Sequence, residues 1–473
     1  MFLLILPELV FGTAALFFFF AAIGKLRRRV LQRAGFIAAL AALCAAAWAY
    51  DRTGMLFHGV YTLDTLSQCF KLLVCAGLVL VMWCTAGFRG TREGFSAEYH
   101  LFLCLGCLGL CCMVSTTELI TLIISMEVAS YSFYALVPLR SRRAEREPLE
   151  AGIKYVFFGG AATAVTLYGM SYLFGLTQTT SLQKLAQSLP ALLATEPLAV
   201  IGLVLFTAGI CYKLALFPLH YWMPDVFVGA AHETACVLAT LPKAAAVCLL
   251  LRFLAAAGAE AHRLVLVFST LAVLSMTIGN LSALGQQDIK RLLAYSGVAH
   301  AGYLVVGMLA LNRLGISAVI YYLSGYVVMT AGCFYVLYRL APQGENITVE
   351  DLRGLYRRSP LLAATLAVAA SGLAGIPPTI GFTGKFLMFA GALQREYYAL
   401  VAIAVVNICI AAFYYLRLVR AAYSSVSGQV ERVLLPRHAT VCAAALIAAI
   451  LLSGMLPQFF FEKILPAVPT LLR

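Results

Sequence analysis

Charge is scarce in this sequence. Asp, Glu, Lys and Arg together supply 12% of its 473 residues, about half the share in ordinary soluble chains. Long polar stretches are missing too, so no soluble domain fits between the two ends. There is no GxGxxG, no P-loop and no CxxCH, which excludes the usual sites for dinucleotides, nucleotide phosphates and covalently held haem. No cofactor is therefore expected in this chain, and any electron chemistry belongs elsewhere. Cysteine is not scarce, at 14 residues, but its arrangement is wrong for a metal. Cys104, Cys107 and Cys111 share one helix face beside Leu and Gly, the only tight pair is Cys111-Cys112, and no second CxxC or His ligand pair follows. They read as small apolar residues, and no metal is expected.

Apolar sequence fills the space. The chain is 62% hydrophobic, with a mean hydropathy of +0.91. About 14 apolar runs long enough to cross a ~30 Å hydrocarbon layer follow one another between residues 2 and 458. Neither Phe17–Phe20 nor Ala443–Leu452 alternates as barrel strands do. The expected fold is an all-α polytopic membrane protein. The first run is not a cleaved leader, because its basic cluster Lys25, Arg27, Arg28 and Arg29 follows the apolar stretch instead of preceding it.

The net charge of +13 raises the possibility of nucleic acid, and its distribution decides against it. Loops on the side of Lys25–Arg33 hold roughly 22 of the 34 Lys and Arg, and the opposite loops roughly 8. No aromatic residues are interleaved with them. The pattern is that of membrane topology, with both termini on the outer side of a bacterial inner membrane and the lipid bilayer as the surrounding partner.

The ionisable residues that cannot reach water carry the functional information, since a charge at the bilayer centre costs about 2.5–3.5 kcal/mol or more. Four stand out: Glu127 within 119–139, Lys213 after 198–211, Lys243 within 235–251 and Lys385 within 380–390. A static ion pair that pins helices together would explain any one of them. Three lysines against one glutamate leave surplus positive charge in a low-dielectric interior, where a neighbouring cation favours release of a proton and a neighbouring carboxylate favours its retention. Linked by water, the four form a candidate proton wire.

Two runs also carry a helix break beside a lysine. Lys213-Leu-Ala-Leu-Phe-Pro218 places a proline five residues on, and Pro377-Pro378 with several glycines precedes Lys385. Irregular backbone at this depth is tolerated where protein or a water-filled cavity satisfies it, and paired broken helices mark ion paths in transporters. His220 and His300 are possible relays, although a lone histidine is as often a packing residue. Lys71 and Lys154 read as snorkelling at an interface. Glu8 reads as structural, and Arg140–Glu150 as a solvated, mixed-charge connection.

At this point several segments resemble the antiporter-like membrane subunits of complex I, relatives of the Mrp-type cation/proton antiporters. Asn280-Leu-Ser-Ala-Leu-Gly-Gln-Gln-Asp-Ile-Lys-Arg-Leu-Leu-Ala-Tyr-Ser-Gly-Val-Ala-His300-Ala-Gly-Tyr303 is similar to that family's most recognisable stretch. The opening Leu6-Pro7-Glu8-Leu9, Phe217-Pro-Leu-His220-Tyr-Trp-Met-Pro224-Asp225, Leu241-Pro-Lys243 and Gly375-Ile-Pro-Pro resemble its N branch more than its L and M branches. The L branch carries a long lateral helix after its core, and this chain stops at Arg473, just past the fourteenth run.

The resemblance implies that Glu127 is the glutamate of the fifth helix, Lys213 the lysine of the broken seventh, Lys243 that of the eighth and Lys385 that of the broken twelfth. It implies two inverted five-helix repeats, here 99–256 and 261–423, flanked by three helices in 1–98 and one in 424–473. It also implies neighbouring membrane-arm subunits as partners, NADH and quinone bound by other subunits, and proton translocation driven by electron transfer there. An Mrp-type antiporter, a ferredoxin- or deazaflavin-dependent complex and a membrane scaffold are the competing readings. One departure stands out: Gly229-Ala-Ala-His232-Glu233-Thr replaces an expected proline-containing loop and adds two titratable groups.

Overall fold

The structure is a computed structural model and describes residues 2–24, 26–141, 146–258, 261–425 and 432–467. Its helices are α1 (Leu6–Ile23), α2 (Arg28–Ala49), α3 (Thr65–Cys84), α4 (Ser96–Ser115), α5 (Leu119–Leu136), α6 (Arg146–Thr177), α7 (Leu182–Thr195), α8 (Pro197–Phe206), α9 (Ala208–Leu214) and α10 (Trp222–Gly229). Then come α11 (His232–Ala257), α12 (His262–Leu284), α13 (Ile289–Leu309), α14 (Arg313–Leu340), α15 (Leu355–Arg358), α16 (Pro360–Ala374), α17 (Ile380–Leu393), α18 (Tyr398–Tyr423), α19 (Arg437–Met455) and α20 (Pro457–Ile464). A short hairpin, β1 (Gly54–Leu56) and β2 (Tyr61–Leu63), links α2 to α3.

The chain is a multi-pass, all-helical membrane protein. Among the described residues 13 helical spans are long and apolar enough to cross a bilayer, and the shorter apolar pair α16 and α17 supplies a further crossing in two pieces. Polar caps set where helices begin: Asp64 and Ser67 form a reciprocal box at the start of α3, and Glu118, Asp288 and Asn312 each accept a first-turn N–H of the helix that follows. The most apolar window of α11 is buried along its entire length, that of α13 over 94% and that of α14 over 83%, against 28–33% for α1, α2, α6 and α19. These three helices therefore form the buried centre, and the outer ones turn apolar side chains outward.

The amphipathic helix α7 was not legible as an apolar run. It is too short and polar to cross, and buries Leu185, Leu189 and Leu193 at a spacing of four against α8 and α11.

Two sequence readings, those of Lys71 and Arg140, do not hold. Lys71 does not snorkel: it is 0% exposed, pairs with the buried Glu8 of α1, and donates to Tyr61 Oη at 3.3 Å. A lysine about two turns inside a helix is close enough to water by sequence position, but the hairpin and α1 cover it. Lys154, by contrast, stays partly exposed and pairs with Glu150 and Asp225, each at 2.8 Å. Arg140 is no solvated connection either; it is 2% exposed and reaches Val228 O, Gly344 O and Asn346 Oδ1, whereas 142–145 lie outside the described residues.

On the face opposite the basic loops, Arg252 of α11 donates to Asp64 Oδ1 at 2.7 Å and to Val114 O at 3.3 Å, joining α3, α4 and α11. Burial pushes the Asp64 carboxyl up, but Arg252 and the Ser67 N–H outweigh it and hold the group below its ordinary value. A depressed folded-state value means the stabilisation is complete above the ordinary carboxylate range, near pH 4, and is lost as pH falls through the lower folded value. Asp64→Asn is expected to lower the melting temperature of the solubilised protein at pH 7. The gap from wild type should close as the melts are repeated toward pH 3, and a gap independent of pH would refute the assignment.

Candidate functional site

Both predicted breaks are present, each with a buried lysine beside it. The first ends α9 at Leu214, because Ala215 takes a left-handed conformation (φ 57°, ψ 43°), and Pro218 then prevents the helix from resuming at once. Residues 215–221 cross to α10. The freed groups find side chains: Phe217 N donates to Ser275 Oγ of α12 at 2.9 Å, and Trp222 Nε1 donates to Tyr212 O at 3.1 Å. The second break ends α16 at Ala374, where Gly375 sits at φ 90°, a conformation that a Cβ would strain. Pro377 and Pro378 follow, and α17 starts after Thr379, whose hydroxyl caps Phe382 N. The Phe217-Pro218 and Pro377-Pro378 bonds are both cis.

Lys213, Lys243 and Lys385 are each held without a carboxylate, unlike the buried Lys71, which pairs with Glu8. Lys213, 6% exposed at the end of α9, donates to Ser130 Oγ at 2.6 Å and Met126 O at 3.3 Å, both on α5. Lys243, 1% exposed at mid-α11, donates to Gly297 O of α13 at 2.6 Å and lies 5.4 Å from the ring centre of Tyr326. Lys385, 2% exposed in α17, donates to Leu373 O and Ala374 O at 2.8 and 3.2 Å and lies 4.8 Å from the Tyr303 ring. The two carbonyls are among those left open where α16 stops, so the broken helix itself is the ligand of the ammonium.

Glu127 differs from the sequence reading. It is half-buried, accepts from Thr163 Oγ1 of α6 at 2.8 Å, and shares its outward strip with the exposed Ile124, Val128 and Tyr131. It lies within electrostatic reach of Lys213 without forming an ion pair. A central sequence position does not reveal which side of a helix faces the bundle.

The structure separates the two histidines. His300 lies between two of the lysines: it is within electrostatic reach of Lys243 and Lys385, its Nε2 is 2.9 Å from Tyr415 Oη, and its Nδ1 is 2.6 Å from Tyr322 Oη. Its ring centre is 5.2 Å from that of Tyr326 and 5.9 Å from that of Tyr303. Lys243, Tyr326, His300, Tyr303 and Lys385 thus follow one another through the buried centre. His220 stands in the first break, 2% exposed, with its ring tilted against those of Phe217 and Tyr221 at 5.6 and 4.4 Å. No hydrogen bond or ion pair ties it to the four charged residues. The four tyrosines around His300 escaped the sequence reading because 23 are spread along the chain. Only the spacing of Tyr322 and Tyr326 on one face of α14 was a signal.

A row of amines, one imidazole and several hydroxyls in a water-poor interior can hold protons and pass them along. Glu127 and Lys213 form a separate group on α5 and α9, and no described contact joins Lys213 to the Lys243–Lys385 row.

Comparison with known proteins places this arrangement. The family model described as NADH:quinone oxidoreductase/Mrp antiporter, TM, matches residues 116–411. The NADH-quinone oxidoreductase subunit N 2 of Opitutus terrae is 41% identical over 468 residues, covering 98% of each chain. That of Solidesulfovibrio magneticus is 43% identical over 458 residues, covering 97% of each. A chain of the respiratory complex I from Thermus thermophilus, solved with bound aureothin, superposes with a TM-score of 0.82 at 31% identity, covering 98% of this chain and 99% of that one.

Proposed function

The chain belongs to the NADH:quinone oxidoreductase/Mrp antiporter family of membrane subunits, within its subunit N branch, and on that premise we propose that it is a non-redox, proton-translocating subunit of a respiratory complex I. NADH and quinone are bound by other subunits. The electron transfer they carry out drives charge displacement along Glu127, Lys213, Lys243, His300 and Lys385, which moves a proton across the bilayer. His220 lines the first break and serves hydration or packing there.

One observation carries this reading: three buried ammonium groups rest on carbonyl and hydroxyl oxygens with no carboxylate paired to any of them. An ammonium so held responds to a charge arriving nearby. A second cation drives its proton off and an approaching carboxylate returns it, so a pulse of charge at one end can propagate as proton shifts. A locked ion pair would resist this. The outward Glu127 strip is the surface through which a neighbouring membrane-arm subunit would deliver that pulse. The distribution of Lys and Arg supports a bacterial inner membrane with both termini on the outer side.

The test uses inverted membrane vesicles from cells with and without this chain, energised by NADH plus a quinone. Expected is NADH-driven proton uptake that falls in the deletion strain and returns with the plasmid-borne chain. Equal uptake in both strains would overturn the reading, and an Na⁺ gradient that drives proton exchange without any electron donor would favour an antiporter instead.

A further inference from the structure

A second group of titratable side chains lies outside the row, on the basic face, where α11 begins. Glu233 is 0% exposed; its Oε1 accepts from Gly90 N at 3.0 Å, and its Oε2 has no partner. His232 is also 0% exposed, and neither ring nitrogen makes a hydrogen bond of normal geometry. Two cations fix the walls around them. Lys290, the second residue of α13, donates to Ala230 O at 2.7 Å and Val228 O at 3.1 Å, while Arg140 reaches across to Gly344 O. The carbonyls of Ala341 and Glu345 face His232, so the loop 341–346 roofs the imidazole, and Gln343 and Glu345 on its outer side are exposed.

Polar groups this deep without partners are uncommon and call for an explanation. Packing does not supply one, since an aliphatic pair would fill the same space without the desolvation cost. The position does. Glu233 is on the helix that carries Lys243, ten residues or about 15 Å further in. Further in, α14 packs against α11 and carries Thr330, whose buried Oγ1 has no partner, and Tyr326, which lies beside Lys243.

We propose that His232 and Glu233 form a proton-loading site on the basic face of this chain. A proton from water beneath the 341–346 loop is taken by neutral His232. The imidazolium passes it to the Glu233 carboxylate, and the resulting carboxylic acid delivers it along the Thr330 and Tyr326 hydroxyls, with ordered water between them, to the neutral amine of Lys243. Each donor ends in the protonation state in which it began, and no electron moves. Arg140 holds the roof in place through Gly344 O and Asn346 Oδ1, and Lys290 holds the backbone that leads into α11 through Val228 O and Ala230 O. The inference rests on the reading of Lys243 as a proton carrier.

Glu233→Gln discriminates well, because the amide oxygen can still accept from Gly90 N and the volume is unchanged, yet the side chain no longer titrates. In inverted vesicles holding the assembled complex, NADH-driven proton uptake is expected to fall by about ten-fold or more, at the low end of what a positioned proton-transfer group contributes. Glu233→Asp should recover part of it. His232→Thr should give a smaller loss that grows as pH rises, since a collecting group matters most when protons are scarce. Should Glu233→Gln not assemble, Thr330→Val carries the test, with a several-fold loss expected. Wild-type uptake in an assembled Glu233→Gln or Thr330→Val complex overturns the loading site. Lys243→Ala, assayed in parallel, separates the two ideas: if it abolishes uptake while Glu233→Gln does not, only the loading site is wrong, and if neither matters, the proton-carrier reading fails.

Discussion

Lys213→Ala is expected to reduce NADH-driven proton uptake by about ten-fold or more, with the complex still assembled. The amine of Lys213 is the only group joining the end of α9 to Ser130 and Met126 of α5 among the described hydrogen bonds, and it is the lysine within electrostatic reach of Glu127. Its removal leaves the surface carboxylate without the amine within its electrostatic reach. Assembly should survive, because the left-handed turn at Ala215, the Phe217–Ser275 bond and the Trp222–Tyr212 bond hold the break in shape without it. Lys213→Arg sharpens the result. Arginine keeps a permanent positive charge and cannot release its proton in a protein, so a static electrostatic role predicts near-normal uptake, whereas a proton-carrying role predicts a loss close to that of alanine. Uptake restored by arginine would reduce Lys213 to a structural cation and return the proposal to a scaffold.

Gly381→Val should act through the fold, and strongly. Gly381 lies in the first turn of α17, where an added Cβ would fall on the carbonyl oxygen of Gly372 and approach Met329 Sδ at 3.1 Å. The obstacle is the backbone of α16, which cannot rotate aside, so α17 must move away. Lys385, one turn further along, would then leave the Leu373 and Ala374 carbonyls, exposing two helix-end acceptors with nothing to replace the ammonium. A cost of about 3 kcal/mol is expected, at the upper end of the usual overpacking penalty. It would be read as a several-fold loss of chain in the purified complex and a lower melting temperature. Gly12→Val is the control: an added Cβ there meets nothing within 4 Å, so yield and melting should match wild type. Equal behaviour of the two variants would show that the close approach of α16 and α17 is not limiting.

The helical class, the number of crossings, the two breaks and the four expensive charges were all legible from residue order. The reason is one-dimensional. Apolar run length measures against bilayer thickness, proline and glycine act on the backbone where they stand, and a lysine in an apolar run is costly whatever surrounds it. The chain by itself thus determined which residues required an explanation.

What held each of them was decided only by the tertiary structure. Lys243 meets Gly297, and Glu8 meets Lys71, across gaps in sequence that no local pattern spans. Glu127 and Lys213 read alike from sequence, as charges in apolar runs, yet one faces outward and the other inward because helix rotation is set by packing against neighbours. Lys71, Arg140 and the His232–Glu233 pair were read as belonging to interfaces or loops, since each is within a turn or two of a helix end. They are buried because loops from the hairpin, from 85–91 and from 341–346 fold back over them. Distance from a helix end along the chain measures access to water only when nothing else covers that end, and coverage is a property of the assembled bundle.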